Sequence, residues 1–487
     1  MRAWTRPVPA ALVTITTVLA YGVPALQAQA APTPVISWSA CPEDAQVQCG
    51  TMKVPADWSD PAGPAASIAI ARRAATDPAH RIGELLVNPG GPGGSAVDMV
   101  LNASGFFTST LARYFDLVGM DPRGVGRSAP VLCSQELVDR APSPLIDSPK
   151  AYDDTVAYNR RLAADCAQHT GPVFAHVDTA SVARDMDAVR TALNVNQISF
   201  YGASYGTLLG EQYAQMFPGR LRALALDSVM DHTVGVDDFL TQETDAAQDS
   251  FEQFIAWCTR DTRCVVRGQD IRALWAGLMA RARAGTLEDP YDHLKKLRLS
   301  DLLAAAFAAF YDPQWYSFAY YLRDARSLVP AGRKAAPDLT DHSFPAVFCA
   351  DWNLPAGDVT QYRARLHALA ARAPQILASP LAVTATSGCL GWPNKPANPQ
   401  APLTPAAIPV LLVNAAHDPA TAYSWAAHVT EEMGPKAVLL RYRGWGHVAY
   451  NKTRCVSGLV DHYLITLATP APGTTCKPVE PEPFGVG

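Results

Sequence analysis

The sequence lacks long runs of charge of a single sign, and only 17% of its residues are charged. Its formal net charge of -5 gives no reason to expect nucleic acid or an anionic membrane as a partner. No C-x-x-C pair and no histidine–cysteine cluster has the spacing of zinc ligands, and we find no internal repeat. With 487 residues, 48% of them apolar, the chain is typical of a globular protein with a large core.

The N-terminus has the pattern of a secretory signal peptide. Arg2 and Arg6 form a positive start, residues 10–20 are mostly apolar, and residues 28–30 (Ala-Gln-Ala) fit a small-x-small cleavage site. We therefore expect cleavage near Ala30 and a secreted, extracellular protein without stable membrane insertion. An uncleaved anchor is the alternative, but the apolar run is short for a membrane span and no other segment looks transmembrane.

Ten cysteines follow the predicted cleavage site, and an even count in an exported chain implies disulfides. They stand at positions 41, 49, 133, 166, 258, 264, 349, 389, 455 and 476. The sequence alone does not fix their pairing, and free buried thiols are the alternative. The short separations of 41/49 and 258/264 favour pairing of neighbours in order, which would give five bridges.

Short runs rich in Val, Leu and Ile alternate with helical stretches, as a mostly parallel sheet requires. These runs lie at residues 85–87, 115–120, 197–201, 221–226, 408–413 and 437–440. Between residues 231 and 405 such runs disappear, and long stretches containing Ala, Leu and Arg take their place. The pattern predicts an α/β fold with an inserted, mainly helical cap that covers the carboxyl ends of the strands.

We accordingly divide the chain into five parts. They are the signal peptide (1–30), the first part of an α/β core (31–231), the helical cap (232–405), the second part of the core (406–470) and a C-terminal tail (471–487). The tail contains Pro and Gly, and we expect it to be extended and weakly ordered apart from Cys476.

The stretch that carries most information is Gly-Ala-Ser-Tyr-Gly at residues 202–206. A predicted strand precedes it and a predicted helix, Thr207 to Ala214, follows it. A strand, a tight glycine-flanked turn with a central serine and then a helix form the nucleophile elbow of an α/β-hydrolase. The pattern predicts Ser204 as a nucleophile, whereas a bare G-x-S-x-G without this context could arise by chance.

A serine hydroxyl needs a base, and the base needs an acid to orient it; in α/β-hydrolases these follow in the order Ser, acid, His. The best base is His447, which lies late in the chain, after a strand and in a glycine-rich loop. Asp418, directly after the strand that ends at Val413, is the favoured acid. Asp227, at the end of another strand, is its rival.

The attack of the serine creates an oxyanion that needs N–H donors. We expect one donor to be the backbone N–H of Tyr205. The glycine-rich run at residues 88–95 should supply the other, and Gly91 is favoured because Pro92 has no N–H. This run lacks the Gly-Lys-Ser/Thr ending of a P-loop, so the oxyanion interpretation is preferred over a phosphate loop.

Three motifs together resemble the secreted tripeptidyl aminopeptidases of actinobacteria, relatives of proline iminopeptidase among the α/β-hydrolase serine peptidases. They are Asn-Pro-Gly-Gly-Pro-Gly-Gly-Ser at 88–95, Asp-Pro-Arg-Gly-Val-Gly-Arg-Ser at 121–128 and Gly-Ala-Ser-Tyr-Gly-Thr at 202–207. The region from Cys389 to Cys476 resembles the C-terminal segment of that family, which carries the acid and the histidine. The resemblance implies release of short peptides from free N-termini.

That activity needs a carboxylate in the cap to hold the substrate ammonium. The candidates are Asp245, Asp249, Glu252 and Asp351. The predicted partners are peptides with a free N-terminus or small esters. No metal or organic cofactor is expected, because this chemistry requires none, and the oligomeric state is not predicted.

The primary hypothesis is therefore a secreted serine aminopeptidase that works through an acyl-enzyme on Ser204, His447 and Asp418. A carboxylesterase of the same fold is the first alternative, since the same triad cleaves esters. A non-catalytic binding protein on a hydrolase scaffold is the second, and three intact triad positions argue against it.

Overall fold

The computed structural model describes residues 35–289, 295–324 and 338–483. The predicted signal peptide and the last four residues of the predicted tail lie outside the described residues. Within the described ranges, the strands are β1 (Ser37–Ala40), β2 (Val47–Pro55), β3 (Ala65–Arg73), β4 (Gly83–Asn88), β5 (Phe115–Met120), β6 (Leu132–Ser134), β7 (Ile198–Ala203), β8 (Leu221–Asp227), β9 (Leu339–Asp341), β10 (Val410–His417), β11 (Ala437–Trp445) and β12 (Thr475–Cys476).

The α-helices of the same ranges connect and cover these strands. They are α1 (Ala96–Leu101), α2 (Ser109–Tyr114), α3 (Gln135–Val138), α4 (Pro149–Thr170), α5 (Thr179–Ala192), α6 (Tyr205–Met216), α7 (Val236–Arg260), α8 (Ile271–Arg283), α9 (Leu299–Tyr311), α10 (Trp315–Asp324), α11 (Ser343–Asp351), α12 (Val359–Arg372), α13 (Pro380–Gly388), α14 (Tyr423–Met433) and α15 (Arg454–Thr466).

In the described chain ten strands form one sheet in the order β1-β2-β3-β5-β4-β7-β8-β10-β11-β12. The strands from β5 to β12 in that order pair in parallel, and the first three pair antiparallel at one edge. The central strands β5 and β7 are buried along their whole length, as expected for a sheet covered on both faces. This is the α/β arrangement that the sequence predicts.

The register of the sheet brings the ends of the central strands to one line. Asn88 of β4 pairs with Gly202 of β7, and Ala203 of β7 pairs with Asp227 of β8. Asp227 in turn pairs with Val413 of β10. The loops that follow β4, β7, β8 and β10 therefore emerge together at the carboxyl edge of the sheet, where ligands bind in open α/β sheets.

The six predicted strands correspond to β4, β5, β7, β8, β10 and β11. The sequence interpretation missed β1 to β3 and β12, which lie towards the two edges of the sheet, and β6, which lies outside it. It was also wrong that strands are absent between residues 231 and 405, because β9 lies there and pairs with β6. The seven helices α7 to α13 otherwise occupy the described part of this region, which we call the helical insertion (residues 232–405).

The helical insertion has a hydrophobic cluster of its own. Its largest members are aromatic side chains from α7, α8 and α10, and they are fully buried: Phe254, Trp257, Trp275, Trp315 and Phe318. Phe254 contacts Phe318 edge to face at 4.9 Å between ring centroids. Trp445, at the end of β11, joins this cluster and packs against Trp315 at 5.1 Å. The insertion is thus packed against the end of a sheet strand.

Five disulfides join the ten cysteines in order, as in the pairing favoured from the sequence. The bridges are Cys41–Cys49, Cys133–Cys166, Cys258–Cys264, Cys349–Cys389 and Cys455–Cys476. Disulfides persist in oxidising compartments, so this framework is consistent with an extracellular protein. Among the helices described, none is long and apolar enough to cross a membrane.

The C-terminal tail is more firmly attached than its composition indicates. We expected it to be weakly ordered apart from Cys476, and this was wrong for the described part. Strand β12 pairs with β11. The N–H of Val479 donates to the Tyr442 hydroxyl at 3.2 Å, and Glu480 forms an ion pair with Arg260 of α7 at 3.0 Å. A tail with few apolar residues is held here by backbone pairing and charge.

A buried ion pair fixes the loop of residues 121–128. Arg123 donates from Nε and Nη2 to the two carboxylate oxygens of Asp185 on α5, at 2.7 and 2.6 Å, and both side chains are fully buried. The guanidinium also donates to the carbonyl oxygens of Ala56 and Pro55, and the Trp58 indole donates to Asp185. This network joins the loop to α5 and to the end of β2, so its role is structural.

Replacing Arg123 by Leu should destabilise the protein strongly, because the Asp185 carboxylate would remain buried without its cation. We expect the free energy of unfolding to fall by about 3–5 kcal/mol. Arg127→Leu is the matched control, since its guanidinium pairs with Glu43 and Asp98 at the surface and its loss should cost less than about 1 kcal/mol. Urea denaturation followed by tryptophan fluorescence measures both, and equal losses would contradict the structural role of Arg123.

Candidate active site

Ser204 lies at a strained turn between β7 and α6. Its backbone has φ 56° and ψ -127°, a conformation that L-residues adopt at a cost of about 1–3 kcal/mol. The flanking glycines are required by close approach: a Cβ on Gly202 would collide with the carbonyl oxygen of Gly206, and one on Gly206 would lie 2.6 Å from the carbonyl oxygen of Asn88. The Ser204 N–H donates to the carbonyl oxygen of Asp227 at 2.9 Å, which holds the turn against β8.

His447 and Asp418 form a buried pair at the same edge of the sheet. Asp418 follows β10 directly and His447 lies two residues after β11. The Nδ1 atom of His447 is 2.9 Å from each carboxylate oxygen of Asp418, and both side chains are fully buried. Burial alone would raise the pKa of Asp418, but the charge and hydrogen bond of His447 hold it below its ordinary value. The sequence prediction that these residues meet is therefore reproduced by the geometry.

Asp227, the rival acid, has a different role. Its carboxylate accepts hydrogen bonds from the backbone N–H groups of Ala449 and Tyr450, at 2.9 and 2.8 Å, and from the Tyr201 hydroxyl at 2.9 Å. It makes no hydrogen bond to the imidazole of His447. Asp227 thus fixes the backbone that follows His447.

Ser228 links the acid to the same loop. Its hydroxyl donates to Asp418 Oδ2 at 2.7 Å and accepts the N–H of Val448 at 2.8 Å. Ser228 is fully buried and has φ 59°, so its backbone is held in the left-handed region. The remaining donors to Asp418 are the N–H groups of Ala420 and Thr421 and the Thr421 hydroxyl, at 2.9 to 3.0 Å. The carboxylate is thereby held in one orientation.

The glycine-rich loop after β4 lies against the elbow. A Cβ on Gly90 would stand 2.7 Å from the backbone nitrogen of Tyr205 and 2.9 Å from Cβ of Ser204. Tyr205 is the first residue of α6, where a helix leaves its N–H without an intrahelical partner. In the described chain no residue accepts a hydrogen bond from the N–H of Gly91. The glycine-rich loop therefore contacts the elbow at Gly90, next in the chain to Gly91, and Gly91 and Tyr205 stay predictions as oxyanion donors.

Asp121 holds the glycine-rich loop in place through hydrogen bonds. Its carboxylate accepts hydrogen bonds from the Ser95 hydroxyl at 2.7 Å and from the N–H groups of Val97 and Arg127, each at 2.9 Å. These three hydrogen bonds join the 121–128 motif to the end of the glycine-rich run. The motif supports the site and takes no part in it directly.

Tyr311, at the end of α9 in the helical insertion, covers the serine and the histidine. Its ring lies 4.4 Å from the His447 ring, and its carbonyl oxygen accepts the backbone N–H of His447 at 2.7 Å. Its phenol interacts with the Ser204 side chain. Tyr311 is 37% exposed, whereas Ser204 and His447 are 8% and 3% exposed, so the tyrosine packs on the buried His447 from a position nearer to solvent. The Nε2 atom of His447 is buried without a hydrogen-bond partner, so the serine–histidine bond is not formed in this structure.

Each carboxylate proposed from the sequence as an ammonium ligand has another partner. Asp245 pairs with Arg372, Asp249 with His417 Nδ1 at 2.6 Å, and Glu252 with Arg272. Asp351 is fully buried and accepts four hydrogen bonds. Among the described residues no group of His, Cys, Asp or Glu could hold a metal ion.

Glu243 of α7 is an acid that the sequence interpretation missed. It is buried, its carboxylate accepts the Ser379 hydroxyl at 2.7 Å, and its charge raises the pKa of Tyr311. Burial raises the pKa of Glu243 to about 8, with a further contribution from the charge of Asp418. The signal in the sequence is its register, because Glu243 falls on the same stripe as the buried Leu240 and Ala247.

For two other residues of the site, Ser228 and Tyr311, the sequence carries no signal. Ser228 is an ordinary serine after a strand, and its left-handed backbone is visible only in the structure. Tyr311 reaches the site because of how the helical insertion packs, which the local sequence does not encode.

Comparison with known proteins identifies relatives along most of the chain. The family model described as TAP-like protein matches residues 373–476, a span that contains Asp418 and His447. The chain is 31% identical to the tripeptidyl aminopeptidase of Streptomyces lividans, over 91% of this chain and 87% of the relative. It is 28% identical to the serine protease Hip1 of Mycobacterium tuberculosis, over 88% and 87% of the two chains.

A carboxylesterase B of Mycobacterium tuberculosis is 33% identical, over 91% of this chain and 90% of the relative. These similarities cover most of the chain and agree with the sheet, the elbow and the buried Asp–His pair. The chain therefore belongs to the tripeptidyl aminopeptidase family of α/β-hydrolases.

Proposed function

We propose that this protein is a serine aminopeptidase that removes short peptides, of the tripeptidyl type, from free N-termini. The observation that carries the proposal is the buried Asp418–His447 pair at the sheet edge that also carries the strained Ser204. In the proposed reaction, Ser204 Oγ attacks the scissile carbonyl carbon while His447 Nε2 takes the hydroxyl proton. Asp418 keeps the proton of His447 on Nδ1, so that Nε2 is the basic nitrogen.

The N–H groups of Tyr205 and Gly91 would stabilise the oxyanion of the tetrahedral intermediate. Loss of one such donor typically costs about 3–4 kcal/mol of transition-state stabilisation. His447 then gives its proton to the leaving amine, the C–N bond breaks, and an acyl-enzyme remains on Ser204. A water molecule, activated by His447, hydrolyses the ester bond and restores the serine.

Formation of the Ser204–His447 hydrogen bond requires a rearrangement at Tyr311. Its phenol interacts with Ser204 in this structure, and the imidazole Nε2 has no partner. Catalytic hydrogen bonds are often long or absent before substrate binds and form only in the complex. We propose that an entering substrate displaces Tyr311 and lets the serine turn towards the imidazole.

Glu243 is the proposed ligand of the substrate ammonium. A buried carboxyl with a pKa near 8 resists ionisation until a cation arrives, and a peptide N-terminus supplies one. The helical insertion would act as a cap that sets the distance between Glu243 and Ser204, and so the number of residues released.

A carboxylesterase is the second candidate. The relative named carboxylesterase B favours it, and the same three residues would cleave an ester by the same steps. We further propose that the protein is exported, with a signal peptide cleaved near Ala30, because the disulfide framework requires an oxidising compartment.

Three matched chromogenic substrates test the proposed function: a tripeptide anilide with a free amine, the same compound acetylated, and a simple acyl ester. Wild type should cleave the free-amine peptide well and the acetylated one at least tenfold more slowly, and Ser204→Ala should lose activity on all three by 10³-fold or more, roughly as triad removals do. Equal cleavage of both peptides would reject the aminopeptidase, and turnover of the ester alone would favour the esterase.

Glu243→Gln should separate binding of the ammonium from the chemistry. The variant should raise KM for the free-amine tripeptide by about 10–100-fold, the equivalent of a hydrogen bond to a charged group, and leave the acyl ester unchanged. Glu252→Gln is the matched control on the same helix, since its partner Arg272 is a surface residue. An equal change of KM for the peptide and the ester would contradict the proposed role.

Glu243→Gln should also change how the free energy of unfolding depends on pH. Because the folded-state pKa of Glu243 is raised, the folded protein binds this proton more tightly, and its stability falls as pH rises from about 4.5 towards 8. The free energy of unfolding of Glu243→Gln minus that of wild type should therefore be larger at pH 8 than at pH 5. Urea denaturation at the two pH values measures the difference.

A further inference from the structure

We infer that Asp351 is a positioning residue for the oxyanion hole, and that it acts through the side-chain hydroxyl of Tyr205. Tyr205 contributes its backbone N–H to the proposed hole, and its phenol reaches into the helical insertion. The inference rests on the proposed function, because it concerns the geometry of the same site. It assigns the insertion a role in the chemistry beyond covering the substrate.

The contacts of Asp351 are directed at the elbow and at the helix beside it. Its Oδ2 atom accepts the Tyr205 hydroxyl at 2.7 Å and the Thr179 hydroxyl at 2.6 Å. Its Oδ1 atom accepts the Thr179 N–H at 2.7 Å and the Asn398 amide at 3.2 Å. With four donors the carboxylate has no freedom to turn, so Tyr205 is fixed at the far end of its side chain as well as in its backbone.

Asp351 is itself held firmly. It is the last residue of α11, and its carbonyl oxygen accepts the His232 Nε2–H at 2.9 Å. Two residues earlier, the Cys349–Cys389 disulfide ties α11 to the segment after α13. The following residue, Trp352, packs edge to face on His232 at 4.6 Å. Because Asp351 is held rigidly, its hydrogen bond can fix the position of the Tyr205 side chain.

The other end of α11 approaches the second half of the proposed hole. A Cβ on Gly93 would stand 2.6 Å from the hydroxyl oxygen of Ser343, the first residue of α11. Gly93 belongs to the loop that carries Gly91. One helix of the insertion therefore contacts both segments that supply oxyanion donors: the glycine-rich loop at its N-terminus and Tyr205 at its C-terminus.

The Tyr205 phenol can serve as a donor at every working pH. Burial, followed by the charge of Asp351, raises the pKa of Tyr205 well above its ordinary value, so the hydroxyl stays protonated. Small displacements of a donor matter because the hole must match the transition state and not the ground state. Loss of the Tyr205–Asp351 hydrogen bond should consequently reduce kcat and leave KM nearly unchanged.

Tyr205→Phe removes the hydrogen bond to Asp351 and keeps the backbone N–H of residue 205. We expect kcat on the acyl ester and on the free-amine tripeptide to fall about tenfold, with KM within twofold of wild type. Tyr213→Phe is the matched control, because Tyr213 lies on the same helix, is fully buried and donates its hydroxyl to Asp187 of α5 at 3.1 Å. It should lose stability similarly but keep kcat within twofold of wild type.

Asp351→Asn supplies a double-mutant cycle. The amide cannot accept all four donors, so this variant should lower kcat at least as much as Tyr205→Phe. In the double variant the loss of kcat should be no greater than in Asp351→Asn alone, because both changes remove one contact. Additive losses would overturn the inference, as would a Tyr205→Phe protein with full kcat or an equal loss in Tyr213→Phe.

The ester assay also separates this inference from the proposed function. If Ser204→Ala hydrolyses the ester as fast as wild type, the proposed function is rejected and the inference falls with it. If activity requires Ser204 while Tyr205→Phe is unaffected, only the inference is rejected.

Discussion

The Asp418 carboxylate is a buried charge, and the arrangement of the site follows from the donors that it needs. An unpaired carboxylate in a protein interior is very costly, so burial is possible only with a complete set of partners. His447 and the backbone after Asp418 supply part of that set, and the hydroxyls of Ser228 and Thr421 supply the rest. Since Ser228 also binds the loop that carries His447, the acid and the base cannot shift independently.

The sheet and the helical insertion contribute different parts of the site. The parallel strands end on one line, so the loops with Ser204, Asp227 and Asp418 are adjacent whatever the insertion does. The insertion adds Tyr311, which packs on His447, Asp351, which binds the Tyr205 hydroxyl of the elbow, and the buried Glu243, whose pKa the charge of Asp418 helps to raise. In the proposed mechanism the sheet supplies the triad, while the insertion supplies recognition and the fine position of the oxyanion donors.

The parts of the site that could be predicted are those encoded by local sequence. The glycines around Ser204 are needed by the turn itself, and His447 and Asp418 follow strands in the order expected of the fold. Glu243 was missed because the spacing of acids on α7 favoured the exposed face of the helix, whereas Glu243 lies on the buried face. Which face of a helix packs inward is decided by tertiary contacts. The antiparallel strands β1 to β3 escaped prediction because an antiparallel strand needs no continuous apolar run.

The central claim is that Ser204 carries the acyl group when His447 and Asp418 act on it. The most direct measurement is the mass of the protein quenched in acid during turnover of an activated tripeptide ester, followed by mass analysis of its peptides. The account predicts a mass increase equal to one acyl group, located on the peptide that contains Ser204 and absent from a His447→Ala protein. An acyl group on another residue, or undiminished turnover with no covalent adduct on Ser204, would contradict it.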